Sequence, residues 1–257
     1  VVLIEVVAII SIIVGMAKAL EPMGVMILMV RPFKKLFKTP AITWWVTGIL
    51  MFGFSLFLWP SPAAALIGGL LLPAGLAVGV PAITMAMSMN LFGHGVMLSQ
   101  DLLIQAAPNL TASTAGVPVN DIIAASMPLN IVASVVCIAI AWFFYARKDI
   151  KNFEATNKKY PSTYIQSEEF KDTETRVFST PAKVAAVVIP IVLVLDALAL
   201  IFLKIRGGDA TAVLGGTSIV LMSVFLIWEY KREGIEKITA GIQEGFKFGM
   251  HCFAPVF

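Results

Sequence analysis

Long apolar runs separated by short charged segments set the pattern of this chain. Runs near Val2 to Leu20, Ala41 to Trp59, Ala63 to Val80, Ile122 to Ala146, Ala182 to Leu203 and Ala210 to Trp228 approach or exceed the roughly 20 residues a helix needs to cross a bilayer's hydrocarbon core. Between Ala82 and Asn120 the pattern breaks. There ITMAMSMNLFGHGVMLSQDLLIQAAPNLTASTAGVPVN sets His94, Asp101, two glutamines and several amides and hydroxyls among hydrophobic residues. Pro81 precedes this stretch, Gly93 and Gly95 flank His94, and Pro108, Gly116 and Pro118 follow. Each Gly costs about 1 kcal/mol against Ala in a helix interior, so a plain helix is disfavoured. Non-helical backbone at membrane depth survives only where protein or a water-filled cavity satisfies it. A broken or re-entrant element near 82–118 is therefore predicted, with a kinked span and a polar external loop as the plainer alternative.

Composition agrees with the pattern. Hydrophobic residues make up 58% of the chain and charged residues 14%, against about 25% charged in an ordinary soluble domain. The predicted fold class is an all-α, polytopic helical membrane protein, with the lipid bilayer as its main partner. The chain opens on VVLIEVVAII and stops at HCFAPVF as a new apolar run begins, so it reads as an internal fragment of a longer carrier. Three sections follow: a membrane bundle over 1–146, a mixed-charge cytoplasmic connector over 147–181, and the start of a second membrane section over 182–257. Within the last, Ile235, Ile238, Ile242 and Phe246 recur at helical spacing, which predicts an amphipathic segment over 229–248 lying at the interface.

A net charge of +3 would suit an anionic partner, but topology explains the basic residues and no nucleic-acid partner is expected. Arg31, Lys34, Lys35 and Lys38 form one cluster; Arg147, Lys148, Lys151, Lys158, Lys159, Lys171, Arg176 and Lys183 form a second; Lys231, Arg232, Lys237 and Lys247 form a third. The positive-inside rule makes all three cytoplasmic and leaves Lys204 and Arg206 outside. Cys137 and Cys252 lie in apolar runs without a second ligand at metal spacing, so they are expected as buried thiols.

Candidate chemistry concentrates in the interrupted stretch. If Asn90 to Gln105 were one helix, a turn of about 100° per residue would bring Asn90, His94, Asp101 and Gln105 onto a single stripe. A carboxylate at membrane depth can hold and release sodium or a proton, which would make Asp101 the coupling-ion ligand with Gln105 beside it. Alternatively Asp101 caps a short helix beginning at Leu102. His94 can relay protons or hydrogen-bond an anion, or simply pin broken backbone. Asn109, Thr111, Ser113 and Thr114 offer amide and hydroxyl contacts that suit a carboxylate beside exposed N–H groups at a half-helix start, or else serve close helix packing. Glu5 and Asp196 lie inside apolar runs and are functional candidates by that position. Asp121 is expected to cap the run that follows it, and Gly241, Gly245 and Gly249 recur every fourth residue, as close helix packing requires.

WPSPAAALIGGLLLPAGLAVGVP, NLFGHGVMLSQDLLIQAAPNLTASTAGVP and EGFKFGMHCFAPVF resemble bacterial permeases of the ion transporter superfamily, especially the gluconate permease and anaerobic C4-dicarboxylate carrier branches. The resemblance is best over Pro60 to Pro128. It implies a homodimeric, multi-pass symporter of the bacterial cytoplasmic (inner) membrane that moves a small organic anion with Na+ or H+ and uses no other cofactor. It points to Asn90, Gly93, Gly95, Ser99 and Asp101, and to Asn109, Thr111, Ser113 and Thr114, as site residues. The Ser-Asn-Thr signature of the dicarboxylate/sodium branch is absent.

Three other readings remain. A cation/proton antiporter would use Asp101 and Asp196 with no organic substrate. An ABC-type permease subunit would need EGIEKITAGIQEG as a coupling loop. An intramembrane hydrolase would be built on Ser99, His94 and Asp101, and lacks a recognisable nucleophile motif. The chain is accordingly read as no enzyme.

Overall fold

The computed structural model describes residues 2–156, 176–205 and 208–253. Most of the expected connector, the Arg206 position and the side chains of Glu5, Lys34 and Cys252 lie outside the described residues. Every described regular element is helical, and the chain is an all-α polytopic membrane protein.

Helix α1 (Val2–Leu20) ends in a 3-10 turn, Glu21–Met23, and α2 (Val25–Val30) leaves at an angle of 86°. Gly24 makes that corner with φ +74°, and Phe178 packs where its Cβ would stand, so both conformation and space demand glycine. Helix α3 (Pro40–Leu58) starts at Thr39, whose hydroxyl accepts the Ile42 N–H at 3.3 Å, with Pro40 in the first turn where its missing N–H costs nothing. Trp59, at φ +66°, turns the chain into α4 (Pro60–Val78), and Gly79 ends that helix at φ +96°. Helix α5 (Ala82–Asn90) returns along α4 and α3.

Two stretches of wider helix follow. Helix α5 runs on through π-helical Leu91–Met97 into a last turn, α6 (Leu98–Gln100). After a break, α7 (Ala106–Ala115) leads through Gly116 into α8 (Val119–Ile140), which continues through π-helical Ala141–Ala146 into α9 (Arg147–Ala155). This last helix is 37 residues long without interruption. The expected boundary at 146 therefore does not exist as a break: the first turns of the expected connector are helical and grow directly out of the span. Asp121 does not cap α8; Pro118 holds that position and Asp121 sits in the first turn, where its charge still suits the helix dipole.

Helices α10 (Thr180–Phe202), α11 (Gly208–Tyr230) and α12 (Glu233–Phe253) complete the chain. Helices α3, α8 with α9, α10 and α11 are each long and apolar enough to span a membrane, and the bent α1 and α2 pair makes a fifth candidate. The large exposed side chains of α8, including Leu129, Val132, Val135 and Val136, make a face suited to lipid. Cys137 is exposed on that same helix, contrary to the expected buried thiol, because α8 packs little of its length against the bundle.

The main core joins α1, α2, α3, α4, α10 and α11 around Ile10, Met16, Leu20, Ile67, Leu71 and Met222. A second cluster joins α3, α5 and the α8–α9 helix around Trp44, Met85, Phe92 and Ile150. Trp142 packs against it with its ring tilted over Trp44 and Trp45 at centroid distances of 5.1 Å and 5.4 Å, so it anchors helix to helix.

The amphipathic segment expected over 229–248 is helical from Glu233 and packs along α1. Gly241, Gly245 and Gly249 lay α12 antiparallel along α1: a Cβ on Gly241 would lie 2.9 Å from the Gly15 carbonyl oxygen, one on Gly245 would enter the Ser11 and Gly15 backbone, and one on Gly249 would reach the Val7 carbonyl oxygen at 3.3 Å. The glycines allow backbone approach that any side chain would block.

Sidedness follows from packing. Thr39, Pro40 and Ala41 share one small cleft with Arg147, Lys151 and Glu154, so the first two basic clusters lie at the same end of the bundle. Arg176 donates to the Pro22 carbonyl, and Ser179 donates to the Glu229 carboxylate at 2.5 Å, which brings the start of α10 and the end of α11 together. That is the arrangement the positive-inside rule expects of segments sharing one membrane face.

Candidate functional site at the interrupted helix

The wall that carries the site is tied to α3 by reciprocal bonds. The Trp44 indole N–H donates to the Thr84 carbonyl at 3.1 Å, and the Ser88 hydroxyl donates to the Trp44 carbonyl at 2.7 Å. Thr84 in turn donates to the Asp149 carboxylate at 3.1 Å, linking α5 to α9. One level higher the Phe92 ring lies on Gly48, where a Cβ would stand 2.5 Å from the ring. Gly93 packs on Met51 and Ser55 of α3.

His94 sits in the π-helical turns, the kind of local widening that recurs at functional sites. Its Nε2 lies 3.0 Å from the Ser61 hydroxyl of α4, and its Nδ1 is buried with no partner among the described residues. Gly93 is buried and Gly95 open, so the histidine is held on a backbone that small neighbours let widen. Ser99 donates to the Gly95 carbonyl and its own carbonyl accepts from Asn130 Nδ2 at 2.7 Å, which fastens α8 to the end of α6.

The helix breaks at Asp101, which adopts a left-handed conformation (φ +35°, ψ +49°), and Gln105 adopts a second (φ +57°, ψ +28°). Both residues are buried. One carboxylate oxygen of Asp101 accepts the Gln105 N–H at 3.1 Å and the other accepts the Ala107 N–H at 2.9 Å. Gln105 donates its side-chain amide to the Leu102 carbonyl at 3.0 Å. Asp101 thus caps a helix, but that helix is α7 starting at Ala106, not one starting at Leu102. Four residues of turn separate the carboxylate from the helix it caps.

The single polar stripe expected from Asn90, His94, Asp101 and Gln105 does not form. The π turns shift the register between Asn90 and Asp101, and the left-handed residues end the helix before Gln105. Asn90 is exposed on α5, His94 turns to α4, and Asp101 and Gln105 are folded into the break. The expectation of open N–H groups at a half-helix start for an anion is also corrected, because the Asp101 carboxylate occupies the start of α7 and its negative charge repels a second anion there.

Helix α7 presents its hydroxyls outward. Thr111 donates to the Ala107 carbonyl at 2.9 Å, and Ser113 and Thr114 donate to the Leu110 carbonyl at 2.9 and 2.8 Å. All three residues are exposed and Asn109 is half-buried, so each hydroxyl oxygen retains lone pairs facing outward. Their local bonds satisfy the protons and leave acceptors, which match a cation or a donor more directly than a bare carboxylate.

The large apolar groove between α2, α3 and α10 is not a carboxylate site. It encloses about 570 Å³ and is lined by residues such as Met26, Met29, Phe33, Phe54 and Leu193.

Asp196, singled out from its position, proves to belong to a packed seam. Ala182, Ala185, Ile189, Leu193 and Leu200 are buried along α10, and Asp196 falls in the same three-and-four spacing. Its carboxyl group faces Thr217 of α11, while its Oδ2 is buried with no partner among the described residues. That helical spacing was visible in the sequence, whereas the facing Thr217 was not. Ser61, the partner of His94, was likewise missed, since it lies in the WPSP turn and no local pattern connects it to the histidine.

No model of a known protein family matches the chain, and no solved structure matches it. The chain is 39% identical over 250 residues to the uncharacterized membrane protein YhfA of Bacillus subtilis (strain 168). The match covers 96% of this chain and 52% of that relative, so the chain spans about half the length of the curated relative it matches. Together with the helices described above, this similarity places the chain among multi-pass membrane proteins.

Proposed function

We propose that this chain forms part of a secondary active transporter, a symporter that moves a small organic anion such as a carboxylate with Na+ or H+. The observation that carries the reading is the buried Asp101 carboxylate at the break between α6 and α7, flanked by two left-handed residues and followed by the outward hydroxyls of Thr111, Ser113 and Thr114. An interrupted helix at membrane depth needs a polar lining, and a solute path supplies one. In this reading Asp101 and Gln105 hold the coupling cation, and the Asn109 amide holds the anion together with the α7 hydroxyls, which turn their protons from the Ala107 and Leu110 carbonyls to the solute. Cation binding at Asp101 would lower the negative charge at the start of α7 and so favour the anion, which gives coupling a physical route. A homodimer in a bacterial cytoplasmic membrane fits the family resemblance.

The test is uptake by proteoliposomes containing the full-length protein, across gluconate, C4-dicarboxylates, citrate and short-chain acids, with imposed sodium or proton gradients. Gradient-driven uptake of one of these anions, lost in Asp101→Asn, is expected. No uptake of any of them under either gradient overturns the proposal.

A second reading rests on Asp196. A seam carboxyl with one buried unpartnered oxygen suits a proton-exchanging group, which favours a cation/proton antiporter. Sodium-driven pH changes in the same vesicles, abolished in Asp196→Asn and independent of organic anions, would select it. The segment an ABC-type subunit would project as a coupling loop packs along α1, and Ser99, His94 and Asp101 bond Gly95, Ser61 and the α7 backbone, which supports the two transport readings over the others.

A further inference from the structure

Helices α3 and α10 are both long and apolar enough to span a membrane, and the apolar groove runs along both of them above α2. Ile49 and Gly53 line it from the middle of α3, and Val187, Pro190 and Ile191 line it from the middle of α10. Mid-span position sets the groove at hydrocarbon depth. Ile49, Val187 and Ile191 are exposed at its opening, a rim suited to acyl chains and not to water.

Two features set this groove apart from a seat for another helix. Membrane helices approach one another through small residues, whereas Met16, Met26, Met29, Phe33, Phe54 and Phe57 supply much of this lining. Unbranched methionines adapt to a flexible occupant. The second feature is charge. Phe33 lies in the 3-10 turn Arg31–Leu36, so Arg31 and Lys35 stand within two residues of a lining side chain, at about 2 Å of rise per residue. Lys38 follows, and all three cations precede Pro40, the first residue of the α3 span, which puts them at its boundary. All three are exposed, and none has an ion-pair partner among the described residues. Unpaired cations at a membrane boundary attract anionic headgroups.

We propose that the groove holds an anionic phospholipid, with one acyl chain between α3 and α10 and its phosphate beside Arg31 and Lys35. A wholly apolar slot that reaches a basic turn matches a molecule with a negative head and a hydrocarbon tail. Its volume of about 570 Å³ falls in the range of ligand pockets. Gly53 keeps it open, since nothing stands within 4 Å of where its Cβ would be. The inference concerns a lipid site and stands whether or not the transport reading is correct.

Quenching by lipids with brominated acyl chains tests it in the full-length protein, its native cysteines replaced by serine, reconstituted in phosphatidylcholine bilayers. A bimane fluorophore at Gly53→Cys, where the open Cβ position admits it, is compared with one at Val135→Cys on the exposed apolar face of α8. A minor fraction of brominated phosphatidylglycerol is expected to quench position 53 several-fold more than the same fraction of brominated phosphatidylcholine, and position 135 equally. Arg31→Gln with Lys35→Gln should remove the preference at 53; Lys35→Gln alone should weaken it, and serves if the double variant fails to fold. Equal quenching of 53 by the two lipids overturns the proposal, because bulk lipid would then fill the groove. Absence of quenching at 53 by either lipid also overturns it, because protein would then cover the groove. A preference that survives both substitutions overturns the placement of the phosphate.

Discussion

The Asp101 carboxylate accepts the backbone N–H of Ala107 at 2.9 Å across a four-residue turn, and this bond closes the break between α6 and α7. A buried acid in this position has two jobs that separate by substitution. Asp101→Asn keeps one acceptor but sets an amide NH2 against the second N–H and should cost about 1 kcal/mol, whereas Asp101→Ala removes both acceptors and should cost about 2 to 3 kcal/mol. Thermal unfolding in detergent measures both. Equal destabilisation by the two variants would mean that the negative charge itself, not the acceptor, holds the turn.

Ser88 and Trp44 bond across the α3–α5 contact in a buried setting. Ser88→Ala should lose about 1 kcal/mol and Trp44→Phe somewhat more, since the indole donor and part of the ring contact with Phe92 go together. Additive losses in the double variant would show that the two bonds act independently.

Gly48 leaves no room for a side chain under Phe92, while Gly53 and Gly216 have open space around their Cβ positions. Gly48→Val should cost about 2 to 3 kcal/mol by overpacking, and Gly216→Ala should be neutral or slightly stabilising. Phe92→Leu combined with Gly48→Val should recover part of the loss. Unfolding midpoints for the four proteins decide the matter.

Gly245→Leu should separate α12 from α1, because the added side chain would occupy the Ser11 backbone. The expected result is loss of a monodisperse species on size exclusion. Ala240→Leu, on an exposed position of the same helix, should leave the elution unchanged.

Thr111→Val keeps the shape of an exposed side chain and removes its hydroxyl, so stability should change by less than about 0.5 kcal/mol. Under the transport proposal, uptake should fall, and Thr111→Ser should restore it.

The spans and the interruption were legible because hydrophobic length and the Gly and Pro positions are local properties. The same local patterns misplace the details. A stripe drawn through Asn90, His94, Asp101 and Gln105 assumes one constant helical period, and the π turns around His94 and the left-handed Asp101 and Gln105 each reset it. Asp101 was recognisable as a cap, but the start of α7 depends on how the turn through Leu102 to Gln105 closes against the core around Leu103 and Ile104. The apolar spacing of Ile235, Ile238, Ile242 and Phe246 suggested a helix resting on a membrane surface. The glycine stripe on α12 adds close packing on α1 to that reading, since backbone contact demands an absence of side chains that hydrophobic periodicity does not record.

The unbroken helix from Val119 to Ala155 reaches from the turn after α7 to the Thr84–Asp149 bond at the other end of the bundle. At 1.5 Å per residue it is about 55 Å long, so a tilt of about 5° pivoting at one end would sweep the other through about 5 Å. Asn130 grips the backbone beside the interrupted segment partway along this lever. Fastened at both places, this one helix ties the interrupted segment and the α5 wall to a common strut.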